Sequence, residues 1–280
     1  MAQPPFKWFG SKATLAPRIV SLLPPHRHYV EVFAGSAAVL FAKPRSEMET
    51  VNDLDGEIVN LFRVLRDEAL TSCLIRHVAL TPYSRAEFNL ARLDEPSDEP
   101  VERARRFLVR CWQAVGNEGQ GWSLVVKADT LHAARLHRWT ALPERLAASA
   151  TRLAGVQVDQ RDWREMITRF DTPGACLFVD PPYHADTRPG AAVKYRHEFD
   201  HADHLQLAAA LAGVRHASVV LTHYPHPLYD NLGWDHVDIA AHADNASAGG
   251  LVTRTERLYL RGTSEPQQSL FADHPEPSLA

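Results

Sequence analysis

The chain is short of cysteine, of long apolar runs and of net positive charge, and each shortage removes a class of protein. Its three cysteines, Cys73, Cys111 and Cys176, are scattered without metal-ligand spacing. That excludes a disulfide-stapled scaffold and a cysteine-rich zinc site, and it suits a reducing cytoplasm. No apolar stretch approaches the roughly 20 residues a membrane helix needs, and Met1 to Lys7 has no charged-then-apolar leader pattern. The expectation is a cytoplasmic protein with no membrane partner. The formal net charge is −4, so any attraction to a polyanion must be local. Fifteen histidines lie mostly singly near turns or among basic residues. They read as surface residues, and no metal is expected. What remains is an ordinary globular composition, 45% hydrophobic and 23% charged over 280 residues. That is enough for one large domain or a core plus an insertion. There are no internal repeats.

The most informative stretch is Leu177-Phe178-Val179-Asp180-Pro181-Pro182-Tyr183. Three apolar β-formers are stopped abruptly by two prolines, as where a buried parallel strand ends at the rim of an α/β sheet. Open α/β sheets bind ligands outside the carboxyl ends of their strands. A carboxylate, a stiff diproline and an aromatic ring therefore stand where a ligand would sit.

Earlier in the chain, Phe6-Lys7-Trp8-Phe9-Gly10-Ser11-Lys12 precedes an amphipathic segment, Leu15 to Leu23. An alternating run from Tyr29 to Phe33 then enters the small-residue loop Ala34-Gly35-Ser36-Ala37, which opens a helix. Small residues let the backbone approach a ligand, with a helix N-terminus behind them. Thr50-Val51-Asn52 reads as a second strand. Asp53 or Asp55 after it can accept ribose hydroxyls or cap the next helix, and Asp53 lies about twenty residues past the glycine loop, the dinucleotide-fold spacing. Gly56 to Asp67 is a helix with Ile58, Leu61, Phe62 and Leu65 as its apolar stripe.

From 67 to 150 the strand–helix alternation lapses. Val101 to Val115 is a helix carrying Arg103, Arg105, Arg106 and Arg110, and the glycine-rich run 116–121 before Trp122 reads as a mobile loop. Between 103 and 152, nine bases (those four plus Lys127, Arg135, Arg138, Arg145 and Arg152) face three acids, a local +6. Beside Trp122 and Trp139, that excess reads as a surface that tracks phosphates.

Asp-Pro-Pro-Tyr resembles the signature of amino-group methyltransferases, above all the Dam-type (D12 class, alpha group) adenine-N6 DNA methyltransferases. Other motifs resemble that family in the same order: Phe-Lys-Trp-x-Gly-x-Lys at 6–12, Phe33-x-Gly35-x-Ala37 in place of Phe-x-Gly-x-Gly, and Tyr83 to Asn89. Asp162-Trp163 stands for the family's Asp-Phe element, and a Tyr195-x-x-Glu198-Phe199 pattern belongs to the phage-related branch. The insertion departs from Dam itself, with Gln113 to Gly121 in place of an Asn-Arg-x-Gly-Tyr-Asn-Gly stretch, so Dam's own target site is not expected.

The resemblance spans about residues 4–261 and implies a Rossmann-like α/β fold of class I methyltransferases. It further implies a mixed seven-stranded sheet with helices on both faces and S-adenosylmethionine as cofactor. Residues 1–66 and 151–262 would form the catalytic domain, 67–150 a mainly helical target-recognition insertion, and 263–280 a disordered tail. The implied reaction is methyl transfer to adenine N6 in double-stranded DNA by a monomer without a metal. Asp180 and the Pro181 carbonyl would accept the amine hydrogens, Pro182 would stiffen the turn and Tyr183 would stack the flipped base. The cofactor residues would be Trp8 and Lys12, at the methionine end, with Glu31, Phe33 and Gly35. Asp53 would hold the ribose, leaving Asp55 as the helix cap, and Asp162 and Trp163 would hold the adenine, with Asp180 adjoining. Arg103, Arg106, Arg110, Trp122, Lys127, Arg135, Arg188 and Lys194 would meet DNA. The alternatives are an RNA or protein-glutamine methyltransferase of the same fold, or a non-catalytic DNA-binding relative.

Overall fold

The structure is a computed structural model. It describes residues 2–93, 97–115, 121–124, 130–188, 197–245 and 250–262, with no side-chain description at 130–133 and 241–253. Lys127, Lys194, the loop 116–120 and the tail after 262 lie outside those residues.

Helix α1 (Ala16–Val20) leads into β1 (His28–Glu31), followed by α2 (Ala38–Ala42), β2 (Met48–Asn52) and α3 (Gly56–Leu65). Before the next strand come α4 (Glu68–Leu80), α5 (Arg85–Ala91), α6 (Pro100–Gln113), α7 (Thr130–Thr140) and α8 (Leu142–Leu153). The alternation then resumes with β3 (Gln157–Asp159), α9 (Trp163–Phe170), β4 (Ala175–Val179), α10 (His201–Gly213) and β5 (Ser218–His223). Last come α11 (Pro227–Asp230), β6 (Asp235–Asn245) and β7 (Gly250–Arg261).

The strands form a seven-stranded sheet in the order β3-β2-β1-β4-β5-β7-β6. The first five are parallel, and β7 runs antiparallel to both β5 and β6. The expected mixed seven-stranded α/β sheet is therefore present. Every residue of β1 and β4 is buried, as central parallel strands covered on both faces must be. Period-two alternation sorts their side chains. Tyr29, Cys176, Phe178 and Val220 point into one core, while Val30, Leu177, Val179, Val219 and Leu221 point into the other.

The two faces are covered unequally. The first core takes residues from α1 to α8, including Leu74, Phe88, Trp112 and Leu142 from the stretch expected as an insertion. The second is closed by α9, α10 and α11 through Met166, Ile167, Leu207, Leu211 and Tyr229. The helices between β2 and β3 thus share one continuous core with the sheet.

Local chemistry sets the helix starts. Asp55 caps α3 by accepting from the Glu57 N–H, the role the sequence reserved for it. Glu99 does the same for α6, with Pro100 in its first turn, and Asp200 with Asp203 forms a reciprocal capping box on α10. Helices α4, α7 and α9 were not foreseen as helices. The β6–β7 hairpin pairs in register from Asp235 opposite Leu260 to Asn245 opposite Gly250.

Candidate active site

The chain runs outward from β1 to β2 and β3, then returns to place β4 on the other side of β1. That reversal is the topological switch point, where open α/β sheets leave a crevice. A cleft of about 300 Å³ lies there, within the usual size range of small-molecule sites. Trp8, Lys12, Glu31, Phe33, Gly35, Asp53, Asp162, Trp163 and Asp180 all line it, as do Pro181 and Pro182. Residues spread over more than 170 positions of sequence are thus brought to one space.

Neutral donors hold two of its acids, Asp53 and Glu31. Asp53 accepts the Gly35 N–H at 2.7 Å and the Asp55 N–H at 2.9 Å. Burial nonetheless pushes its carboxyl up to about 6, with those two bonds working against the rise. Glu31 points to the same face as Tyr29, two residues back on β1, and accepts the Tyr29 hydroxyl at 2.9 Å. The same oxygen accepts the Leu40 N–H at 2.6 Å, in the first turn of α2. Ala37, the cap residue of α2, offers no side-chain bond, so Glu31 takes over that role from the strand. Burial pushes the Glu31 carboxyl up to about 8. Asn52 ties the floor together by donating to the Val32 and Arg161 carbonyls and accepting from the Arg161 N–H.

Two loop positions have a steric reason. Gly35 has φ +47°, and a Cβ there would lie 2.9 Å from Cδ1 of Trp8. The Trp8 indole therefore occupies the space a side chain would need. Ala37 has φ +53°, the only positive φ at a non-glycine residue among those described. Where the family pattern has glycine, this chain accepts a left-handed alanine whose methyl is fully buried.

Around Asp180 the geometry adds residues the sequence reading missed. Oδ1 of Asp180 accepts the Thr222 hydroxyl at 2.7 Å and lies 2.8 Å from Lys12 Nζ. The Lys12 ammonium also donates to the Gly10 carbonyl at 2.8 Å and sits 4.7 Å above the Tyr183 ring. Tyr183 is only 5% exposed, its hydroxyl donates to the buried carboxylate of Glu256, and its ring packs against Tyr224 and His223. The ring expected as an open platform is thus buried, with a cation over one face. Thr222 had a readable signal, as a lone hydroxyl near the carboxyl end of a strand neighbouring β4. Glu256, an acid within an alternating run, had none.

The surface reading of the histidines holds for most of those described but is corrected for a buried group. His184, His204 and His223 are buried and gather with His201 and His226 next to the Asp180–Tyr183 turn, ring centroids 4.6 to 5.9 Å apart. Nε2 of His223 accepts the His184 N–H at 2.9 Å, so the proton sits on Nδ1, which donates to the Tyr224 carbonyl at 2.7 Å. Burial, then neighbouring charge, pushes His204 down to about 4, and burial brings His223 to about 3. His204 and His223 are packed neutral rings; spacing in sequence hid that these histidines meet in space. Among the described residues, no group of three or more His, Cys, Asp or Glu is arranged to hold a metal.

The arginines of α6 are also corrected. Arg103 and Arg110 both bind Glu57, at 2.6 and 2.7 Å, and Arg106 binds Glu102 at 2.8 Å. Arg105 bridges Glu87 and Glu102, and the buried Arg152 pairs with Glu49. Every neutralising acid (49, 57, 87 and 102) lies outside the stretch 103–152 whose excess charge was counted. Arg103, Arg106 and Arg110 therefore serve as internal ties instead of forming a bare phosphate-tracking face. Arg188 pairs with Glu198 at 2.8 Å. Trp122 is half-buried with Arg85 4.8 Å from its ring centre, and Arg135 donates to Ser123.

Comparison with known proteins places these features. A family model described as "D12 class N6 adenine-specific DNA methyltransferase" matches residues 8–232. A type II methyltransferase of Lactococcus lactis subsp. cremoris is 32% identical over 110 residues, covering 36% of this chain and 38% of that protein. The DNA N-6-adenine-methyltransferase of Escherichia phage P1 is 29% identical over 106 residues, covering 37% and 14%. The matches therefore span well under half of these relatives. Among solved structures, a precorrin 8W decarboxylase of Methanobacterium thermoautotrophicum aligns over 94% of this chain and 99% of its own, with 10% identity and TM-score 0.40. An rRNA methylase of Streptococcus thermophilus aligns over 89% and 93%, with 7% identity and TM-score 0.36. Structural similarity this low carries no functional weight.

Proposed function

Because the chain belongs to the D12 class N6 adenine-specific DNA methyltransferase family, we propose that it moves a methyl group from S-adenosylmethionine to the N6 amine of adenine in DNA. The observation that carries this reading is that Asp180-Pro181-Pro182 and the acids Asp53 and Glu31 open onto one cleft at the switch point. The cleft suits the cofactor. A carboxylate at the end of β2, held by two backbone N–H groups, is turned to meet ribose hydroxyls. Trp163 and Phe33 supply apolar walls beside Asp162. When bound, the cofactor supplies a methyl group on a sulfonium sulfur.

The protein's own residues position the amine. That nitrogen is a weak nucleophile, because its lone pair is delocalised into the purine. Thr222 and Lys12 both engage Oδ1 of Asp180. Oδ2 and the Pro181 carbonyl then accept the two amine hydrogens and direct the lone pair at the methyl, so catalysis rests on orientation and electrostatics. The Asp180 carboxylate would face the positive charge that develops on that nitrogen during transfer, until the nitrogen sheds one proton to water. Lys12 lies over the Tyr183 face, so stacking of a flipped base requires that ammonium to turn away, toward the methionine end of the cleft. Residues 67–150 would supply target recognition, acting on duplex DNA as a monomer.

The test is to incubate the protein with methyl-labelled cofactor and DNA, RNA or a glutamine-containing peptide. Label in the adenine N6 of DNA is expected. Label entering only RNA or peptide ends the DNA reading, and DNA binding without any transfer marks a non-catalytic relative.

A further inference from the structure

We infer that Lys7, Arg135, Arg138 and Arg145 form a phosphodiester-binding site for the nucleic-acid backbone at the edge of the cleft, and that the arginines of α6 do not. The inference rests on the DNA reading above. It starts from a difference in charge pairing. Arg103, Arg105, Arg106, Arg110 and Arg152 each bind a carboxylate. Among the described residues, none of Lys7, Arg135, Arg138 and Arg145 does. Their polar partners there are neutral: Arg135 donates to the Ser123 hydroxyl and Arg145 reaches the Pro4 carbonyl at 3.4 Å.

The four cations are close together. Lys7 Nζ and Arg145 Cζ each lie 5.0 Å from the centre of the Trp112 ring. Trp112 is itself fastened to the N-terminal arm, its indole N–H donating to the Pro5 carbonyl at 3.2 Å. Arg135 and Arg138 stand one turn apart on α7, and Arg145 lies in the first turn of α8. Burial, followed by repulsion from Arg138, Arg135 and Arg145, brings the Lys7 ammonium down to about 8. Arg145 is pushed below its ordinary value by burial and then by Arg138.

As a purely structural device this arrangement is unfavourable. Like charges are brought together, and Arg145 sits at the positive end of the α8 dipole. Glu144 beside it is exposed and forms no ion pair with the four. A chain of net charge −4 has acids to spare, and it uses them on α6. A phosphate group supplies the missing negative charge, and guanidinium groups match its oxygens in forked geometry. Position supports the same ligand: Lys7 immediately precedes Trp8, which lines the cleft. A strand held on the cluster would therefore run beside the cleft that a flipped base must enter.

The test is fluorescence anisotropy of the full-length protein with a short labelled DNA duplex, titrated with salt. Arg138→Gln with Arg145→Gln should weaken binding about tenfold or more at moderate salt. It should also lower the slope of log affinity against log salt by about 2, one for each phosphate no longer neutralised. Arg106→Gln should leave slope and affinity unchanged. Exposed Arg138→Gln alone should lower the slope by about 1, and circular dichroism with cofactor calorimetry reports whether the double variant folds. An unchanged slope in a folded double variant, an equal weakening by Arg106→Gln, or no DNA binding by the parent overturns the site. Methyl transfer by the parent is measured in parallel. DNA methylation with an unmoved slope sinks the site and keeps the reaction, whereas a slope change without DNA methylation keeps the site and sinks the reaction.

Discussion

The cleft and helix α6 both concentrate charge, and they treat it in opposite ways. In the cleft, Glu31 and Asp53 are held by backbone N–H groups and a tyrosine hydroxyl. Neutral donors orient a carboxyl without supplying an opposite charge, and the cost shows as carboxyls pushed up by burial, so Glu31 keeps its proton at neutral pH. On α6, guanidinium and carboxylate groups meet directly. Glu102 is drawn down to about 2, chiefly by its bond to Arg105. Glu57 is held below its ordinary value because Arg103 and Arg110 outweigh its burial. Among the described residues Glu31 and Asp53 have no ion-pair partner, whereas Glu57 and Glu102 are each paired with arginines. Asp180 lies between these cases, bound to a hydroxyl and to the buried Lys12 ammonium.

The contrast is most exposed at Asp180. Asp180→Asn keeps the shape but removes the charge beside the nitrogen that becomes positive. Single-turnover methyl transfer should fall by about 10²-fold or more, with DNA affinity little changed. Transfer at the parent rate would show that the Asp-Pro-Pro-Tyr turn is not the reacting centre.

Next in size is Asp53→Ala, which should weaken cofactor binding by about 1.5–3 kcal/mol for each charge-assisted hydrogen bond removed. Unchanged affinity in a calorimeter would remove Asp53 from the ribose position. On the closed side, Glu57→Gln leaves Arg103 and Arg110 without their shared anion. Both arginines are about a third exposed, so water replaces part of the loss. A destabilisation of about 1–2 kcal/mol is expected in urea melts, with cofactor affinity unmoved. The reverse pattern would place Glu57 with the ligand-facing acids.

Glu31 sharpens the comparison through pH. Its folded carboxyl is raised to about 8, so between the ordinary carboxylate range and that value the folded protein keeps a proton the unfolded chain releases. Its contribution to stability therefore falls as pH rises through that window. Glu31→Gln retains an oxygen for Tyr29 and Leu40 but does not titrate. The gain in its melting temperature over the parent should grow from about pH 5 to about pH 9. A constant difference would mean that Glu31 does not change charge there. The smallest effect is expected at Ala37. Ala37→Gly relieves a left-handed alanine, worth about 1 kcal/mol, but loses a buried methyl worth about 0.8 kcal/mol, so stability should stay within about 0.5 kcal/mol of the parent.

What the sequence determined by itself were the features with short-range causes. The strand–diproline stop at 177–182, the small-residue loop at 34–37 and the apolar stripe and Asp55 cap of α3 are written in adjacent or helically spaced residues. The seven-stranded sheet and the rest of the cleft lining were legible only through the resemblance to the family, whose motifs recur in order along the chain. The tertiary structure decided what depends on partners distant in the chain: Glu57 binding Arg103 and Arg110, Glu49 binding Arg152, Glu256 receiving the Tyr183 hydroxyl, and the buried His184, His204 and His223 meeting in space. Charge counted along a chain predicts a surface only when nothing folds back onto it. A Coulomb pair needs a separation of a few ångströms in space, and its partners can be dozens of residues apart in sequence.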